Sequence, residues 1–340
     1  MAERCGDSVR LRWKPIALVV LLVLLAVYPF LVGKSNYYMT LFAMMCIYAI
    51  AAMALNLLTG FGGQVSVGHA GFLAVGGYAA AILSTKVGMP FILALLLAGV
   101  VTGLIGLLIG LPAVRLRGHF LAVATLGFGL SIPQIALNWD DLTGGYSGIF
   151  VTKPVLFDTE FKFFYVVVVS IVLITWIIYN ILRSALGRAF VAIRESEVAA
   201  QAMGIHVAFY KTVMFVISAF FTGLAGGLYG YWVGFISPND FTATTSFMLL
   251  AMIVVGGLAS LPGAILGAVL FTLIPHFTSQ FVGVTNLVIG LAMALIILFR
   301  PQGLVSLGQL FSAKKRQSGD VSEQEAGELE KGAEEKYVNV

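Results

Sequence analysis

Ten predominantly apolar runs follow one another along the chain, at residues 15–32, 38–58, 69–86, 91–111, 119–138, 163–182, 212–236, 244–260, 264–281 and 284–300. Each approaches the ~20 residues that an α-helix needs to cross a hydrocarbon core. Gly, Pro and short polar stretches separate them, and no soluble-looking domain intervenes. The pattern predicts an all-α, polytopic integral membrane protein of about ten transmembrane helices, with one membrane domain over 15–304. Residues 1–14 form an arm before it. Residues 305–340 form a charged tail, in which a basic cluster gives way to a Glu-rich run too poor in apolar residues to fold.

The first run follows Arg10, Arg12 and Lys14 and so has the basic start and apolar middle of a secretory signal. It is too long for one, and no small-residue cleavage site follows. It is expected to remain as a span.

Basic residues set the orientation. With an even number of spans both termini share a side, and only Lys34, Lys86, Lys153 and Lys162 of the 20 Lys and Arg fall opposite. Positive residues accumulate in cytoplasmic segments, so the N-terminus and C-terminus are both expected in the cytoplasm. Losing one span before residue 183 would destroy that asymmetry. The segment 183–211 is then cytoplasmic and the loop 139–162 lies outside.

Composition agrees. The chain is 59% hydrophobic and 11% charged, with a mean hydropathy of +0.98, against about 25% charged in an average soluble domain. The net charge of +4 does not point to nucleic acid, because Lys and Arg lie between apolar runs and form no patch interleaved with aromatics. Cys5 and Cys46 are separated by a whole span, which leaves neither a disulfide nor a metal framework.

None of the 16 Asp and Glu falls within a predicted span. Proton relays and many ion-coupled carriers place carboxylates at membrane depth, so coupling to a proton gradient is disfavoured. The chain also lacks a G-x-x-x-x-G-K-[ST] phosphate loop; before Gly33-Lys34-Ser35, Tyr28 occupies the place of the first glycine. An ATPase driving transport has to be a separate polypeptide.

The connection from Arg183 to Lys211 is rich in helix formers, carries apolar Val191, Val198 and Met203, and stops at Gly204. It predicts a short amphipathic helix outside the bilayer. Its Arg194, Glu195 and Glu197 would suit a docking partner, although a helix lying on lipid headgroups has the same pattern. Gly223, Gly226, Gly227, Gly230 and Gly234, with the pairs Gly99/Gly103, Gly106/Gly110 and Gly263/Gly267, let helices approach closely. Packing within the subunit, a subunit interface and a pore-lining face all stay open for them.

Between Asn56 and Gly77, polar Asn56, Thr59, Gln64, Ser66 and His69 and many glycines interrupt two apolar runs. Irregular backbone near membrane depth is tolerated only when buried in protein or lining a cavity. Asn56, Gln64, Ser66 and His69 are therefore candidates for the translocation path. A lone His in apolar surroundings is usually a hydrogen-bonded structural residue, and no catalytic role is expected for it. Gly145-Tyr146-Ser147-Gly148 matches the serine motif of intramembrane proteases, but His119 lies at the opposite end of a span, about 30 Å away.

Asn56 to Gly77, the Arg117-Gly118-His119-Phe120 turn leading into Leu121 to Gly129, Thr143-Gly144-Gly145, Gly187 to Gly204, Ser237-Pro238, Val254 to Gly267 and Arg300-Pro301-Gln302-Gly303-Leu304 carry a joint signal. Together they resemble the permeases of ATP-driven branched-chain amino acid importers, specifically the LivM-type subunit. The resemblance implies a multi-pass transport subunit of a bacterial inner membrane, embedded in lipid, and not an enzyme. It would share a path for leucine, isoleucine and valine with a second, LivH-like permease. Two cytoplasmic ABC ATPase subunits would use ATP, this chain holding no cofactor or metal, and an extracytoplasmic solute-binding protein would deliver the substrate.

The resemblance also implies roles for single residues. The pattern of Glu197, Ala199, Ala200 and Gly204, with Arg188, Arg194 and Glu195, would be the coupling segment that seats in the ATPase. Asp140 and Asp141 would face the binding protein. Related permeases carry urea and other small amides or acids. Readings of a different class are a stand-alone carrier and an intramembrane hydrolase.

Overall fold

A computed structural model of the protein describes residues 36–278, except 114, 115, 117, 155, 156 and 158, together with helical residues 287, 288, 290, 291, 294 and 298. The expected arm 1–14, the first span 15–32, the tail 305–340 and most of the last span 284–300 lie outside the described residues.

In chain order the helices are α1 (Asn36–Asn56), α2 (His69–Thr85), α3 (Phe91–Ala113), α4 (His119–Asn138), α5 (Glu160–Arg183), the short α6 (Ala185–Glu195) and α7 (Glu197–Ala202), then α8 (Val207–Val233), α9 (Ala243–Gly256) and α10 (Leu261–Thr278). Among the described residues, seven segments, Tyr37–Phe61, Phe91–Pro112, His119–Asn138, Glu160–Arg183, Val207–Val233, Pro238–Gly256 and Leu261–Thr278, are long and apolar enough to cross a membrane. The chain is a helical, polytopic membrane protein. One exception to an all-α fold is a pair of two-residue strands, β1 (Ile149–Phe150) and β2 (Phe235–Ile236), joined antiparallel.

Successive long helices run in opposite directions between two ends of the bundle. One end holds Lys86, whose Nζ donates to the Asp141 carbonyl, and the contact of Tyr37 with His276. The other end holds Arg183, α6 and α7. The helix α2 breaks the rule of full crossings, because its 17 residues span only about 25 Å. After α1 the chain makes a π-turn (Leu57–Phe61) and an irregular stretch, 62–68, before α2 begins. Ser218 on α8 bonds to Ala54 O on α1 and also faces His69, the first residue of α2. The start of α2 is therefore level with the last turn of α1 and lies inside the bundle.

The core is built around α8, which packs chiefly against α3 and α2. Its glycines permit this. A Cβ on Gly226 would stand 2.0 Å from Leu73 O on α2, and one on Gly76 would stand 2.2 Å from Gly223 O. Gly106 meets Ala219 on α8, while Gly256 and Gly263 bring α9 and α10 into backbone contact. These close approaches are within the subunit. Gly234 plays another part, closing α8 with a left-handed φ of 77°. The far sides of α3 (Ile92, Leu96, Leu104, Leu108) and α5 (Val169, Leu173, Trp176) are exposed and uniformly apolar, as a lipid-facing surface requires.

Candidate translocation face and coupling segment

Three of the four residues expected along a path are held inside the subunit by hydrogen bonds. Asn56 is fully buried; its Nδ2 donates to Ser260 O at 2.8 Å and its Oδ1 accepts from Ala259 N at 3.0 Å. It thereby clamps the turn between α9 and α10, where Ala259 has a positive φ of 58°.

His69 and Ser66 belong to a second buried cluster. Ser218 Oγ donates to Ala54 O at 2.6 Å and Thr222 Oγ1 to Ser218 O at 2.8 Å, which commits both hydroxyl protons. His69 Nε2, 3.1 and 2.9 Å from those oxygens, must then carry the proton, and Nδ1 accepts from Ser66 Oγ at 3.3 Å. Ser246 on α9 accepts from Ala70 N at 3.0 Å. The cluster ties α1, α2, α8 and α9 together. Gln64 is also buried, but its Nε2 has no hydrogen-bond partner among the described residues.

An exposed face of α4 carries polar side chains toward the Lys86 end. Phe120, Ala124, Gly127, Ser131, Gln134 and Asn138 recur at alternating steps of four and three residues and are all exposed. Toward the Lys86 end, Ser131, Gln134, Ile135, Asn138 and Trp139 line an open cavity of about 600 Å³. Ser131 Oγ and Asn138 Nδ2 bond back to Gly127 O and Gln134 O of their own helix. No hydrogen bond holds the Gln134 amide among the described residues. Burying such a group in hydrocarbon costs about 2–7 kcal/mol, so the Lys86 end of this face, around Gln134, is suited to water or protein, while exposed Phe120, Val123 and Leu130 keep the rest of it apolar.

The segment expected to couple to an ATPase forms two short helices where one was expected. Ser184 caps α6, its Oγ accepting from Leu186 N at 3.2 Å, and Ser196 caps α7, accepting from Ala199 N at 3.2 Å. The extended backbone of Ser196 (φ −161°, ψ 114°) makes the break. Phe190, Ile193 and Ala200 form the buried side. Val191, Val198 and Met203, the apolar residues that marked an amphipathic helix, are exposed, the last two by 76% and 82%. Arg188, Arg194, Glu195 and Ala199 are exposed as well. Glu197 has an internal partner, Lys211 Nζ, at 2.5 Å. Gly204 ends the segment with a left-handed φ of 83°.

Asp140 and Asp141 open a single helical turn (Asp140–Thr143) directly after α4, and both are exposed. Thr143 anchors that turn, its Oγ1 donating to Ala136 O and Trp139 O. Trp139, Tyr146 and Phe150 project from the same end at 53%, 80% and 76% exposure. Ser147 lies in this loop after the end of α4, and His119 is at the start of that helix.

Residues 37–299 match the family described as the branched-chain amino acid transport system permease component. The chain belongs to that family. It is 36% identical to the high-affinity branched-chain amino acid transport system permease protein LivM of Salmonella typhimurium, over 85% of this chain and 74% of the relative. The corresponding LivM of Escherichia coli is 35% identical over the same shares. A probable LivH permease of Methanocaldococcus jannaschii is 25% identical over 66% of this chain and 76% of its own. M-type and H-type permeases are thus both recognisably similar to this one.

The α4 face of this permease was missed in the sequence because His119 to Asn138 reads as an ordinary apolar span. The signal was present: the a/d spacing of Ala124, Gly127, Ser131, Gln134 and Asn138 places both amides of the helix on one seam with three small residues.

Proposed function

We propose that this permease is the LivM-type subunit of an ATP-driven importer and that it forms, with a LivH-like second permease, the path for branched-chain amino acids across the plasma membrane. The observation that carries the reading, beyond family membership, is the α4 seam. Its exposed Gln134 amide cannot face lipid at low cost, and with Ser131 and Asn138 it borders Ile135 and Trp139. Neutral donors and acceptors beside apolar surface suit a zwitterion with a branched aliphatic side chain. A second permease placing a related helix opposite would close the path.

In this reading the Arg183 end is cytoplasmic, in keeping with the positive-inside rule, and the chain has ten spans with both termini inside. The exposed Val198 and Met203, flanked by Arg188, Arg194 and Glu195, supply a knob for a groove in an ATPase, and closure of two ATPases drives alternating access. Asp140, Asp141 and the projecting aromatic residues face the solute-binding protein.

Reconstitution into liposomes tests this. Leucine uptake should require the second permease, both ATPases, ATP and the binding protein, and should be competed by isoleucine and valine but not by urea. Uptake by this chain alone would overturn the proposal.

A further inference from the structure

The reading above leaves open how movement of the coupling segment reaches α4. The two have different principal neighbours: α6 packs on α5, α7 and α8, and α4 packs on α2 and α9. The stretch between α1 and α2 lies against both.

At one end a Cβ on Gly63 would stand 3.1 Å from Arg194 Cγ, so the strap backbone rests on the Arg194 stem in the last turn of α6. Gly62 is pressed against Met214 on α8 in the same way. At the other end Val67 N donates to Thr125 Oγ1 on α4 at 3.1 Å. A Cβ on Gly68 would lie only 1.6 Å from Thr125 O, so strap and α4 meet backbone to backbone. Between these ends the stretch is tied to itself. Gly62 N and Gln64 N donate to Leu57 O and Leu58 O, and Thr59 Oγ1 donates to Gln64 O. A pull on one end is transmitted because the middle cannot simply extend.

We propose that residues 57–68 are the mechanical link by which α4 follows the coupling segment, with Gly63 and Thr125 as positioning residues at its two ends. The inference rests on α4 lining the path. Two features of this strap suit a segment that moves. Its first turn is a π-turn, a geometry that recurs at functional sites. The Gln64 Nε2 is buried without a hydrogen-bond partner among the described residues, so a conformation that satisfied it would gain relative to this one.

The test uses the complete transporter in liposomes, with Cys5→Ser and Cys46→Ala removing native thiols and Ser131→Cys reporting from the α4 seam. Labelling of that cysteine by a membrane-impermeant maleimide should change at least about fivefold between the nucleotide-free and ATP–vanadate-trapped states, the lower limit of ordinary allosteric coupling. Adding Thr125→Val, which removes the acceptor and keeps the shape, should abolish most of that change while ATP hydrolysis continues. Thr125→Ser should restore it. A full response in Thr125→Val, or an equal loss in Thr125→Ser, would overturn the link and leave the path reading standing. No response in the parent would sink the path reading and the link with it.

Discussion

Lys211 Nζ lies 2.5 Å from Glu197 Oε1, joining the second turn of α8 to the first turn of α7. The lysine side chain is 6% exposed and the glutamate 38%. Glu197, expected to act as a contact charge toward the ATPase, thus also ties α7 to the membrane bundle. Glu197→Gln leaves Lys211 buried and unpaired and should destabilise by about 1–3 kcal/mol. Lys211→Met keeps the apolar stem and should cost less. Thermal melting of the detergent-solubilised complex ranks the two; equal tolerance of both would mean that the pair holds nothing.

On the α4 seam, Gln134→Leu and Asn138→Leu should leave the permease in the membrane and lower leucine uptake, together by at least tenfold if each amide contributes about 1 kcal/mol to solute passage. Val169→Leu, on the lipid-facing side of α5, is the control. Uptake assays with surface-level normalisation read the difference, and undiminished transport in the double variant would move the path elsewhere.

Asn56→Ala removes both hydrogen bonds that hold Ala259 and Ser260, at an expected cost of about 2–4 kcal/mol with the site buried. Ala259→Gly should do the opposite, because a left-handed conformation costs a residue with a Cβ about 1–2 kcal/mol. Chemical denaturation of the purified permease would show the opposite signs.

The glycines divide by what lies opposite them. Gly76→Ala and Gly226→Ala would drive a methyl into backbone at 2.2 and 2.0 Å and should abolish accumulation in the membrane. Gly103→Ala meets nothing closer than 3.6 Å and should be tolerated, although it belongs to the same kind of G-x-x-x-G spacing. Immunoblotting of membrane fractions separates the cases.

Much of this was legible before any coordinates, because apolar length is a strong signal in a membrane: His119–Asn138 and Phe91–Ala113 lie where their runs predict them. Partners were not legible. The polar residues of 56–69 announced irregular backbone, but only the positions of Ser218, Thr222 and Ser260 reveal that Asn56 and His69 are satisfied inside. The break at Ser196 was written as Ser followed by Glu197, a helix-start signature, yet it was hidden within a stretch of continuous helix formers. The G-x-x-x-G spacings named close packing without naming the neighbour, since a glycine carries no side chain to specify one.

The short helix α2 has a consequence for biogenesis. Its first residue is a histidine whose Nε2 proton is shared between the Ser218 and Thr222 oxygens, and its glycines dock on Gly223 and Gly226. All of these belong to a helix synthesised well over a hundred residues later. Packing of the bundle cannot be completed span by span in order of translation, because the surface that receives α2 does not exist until α8 has been made.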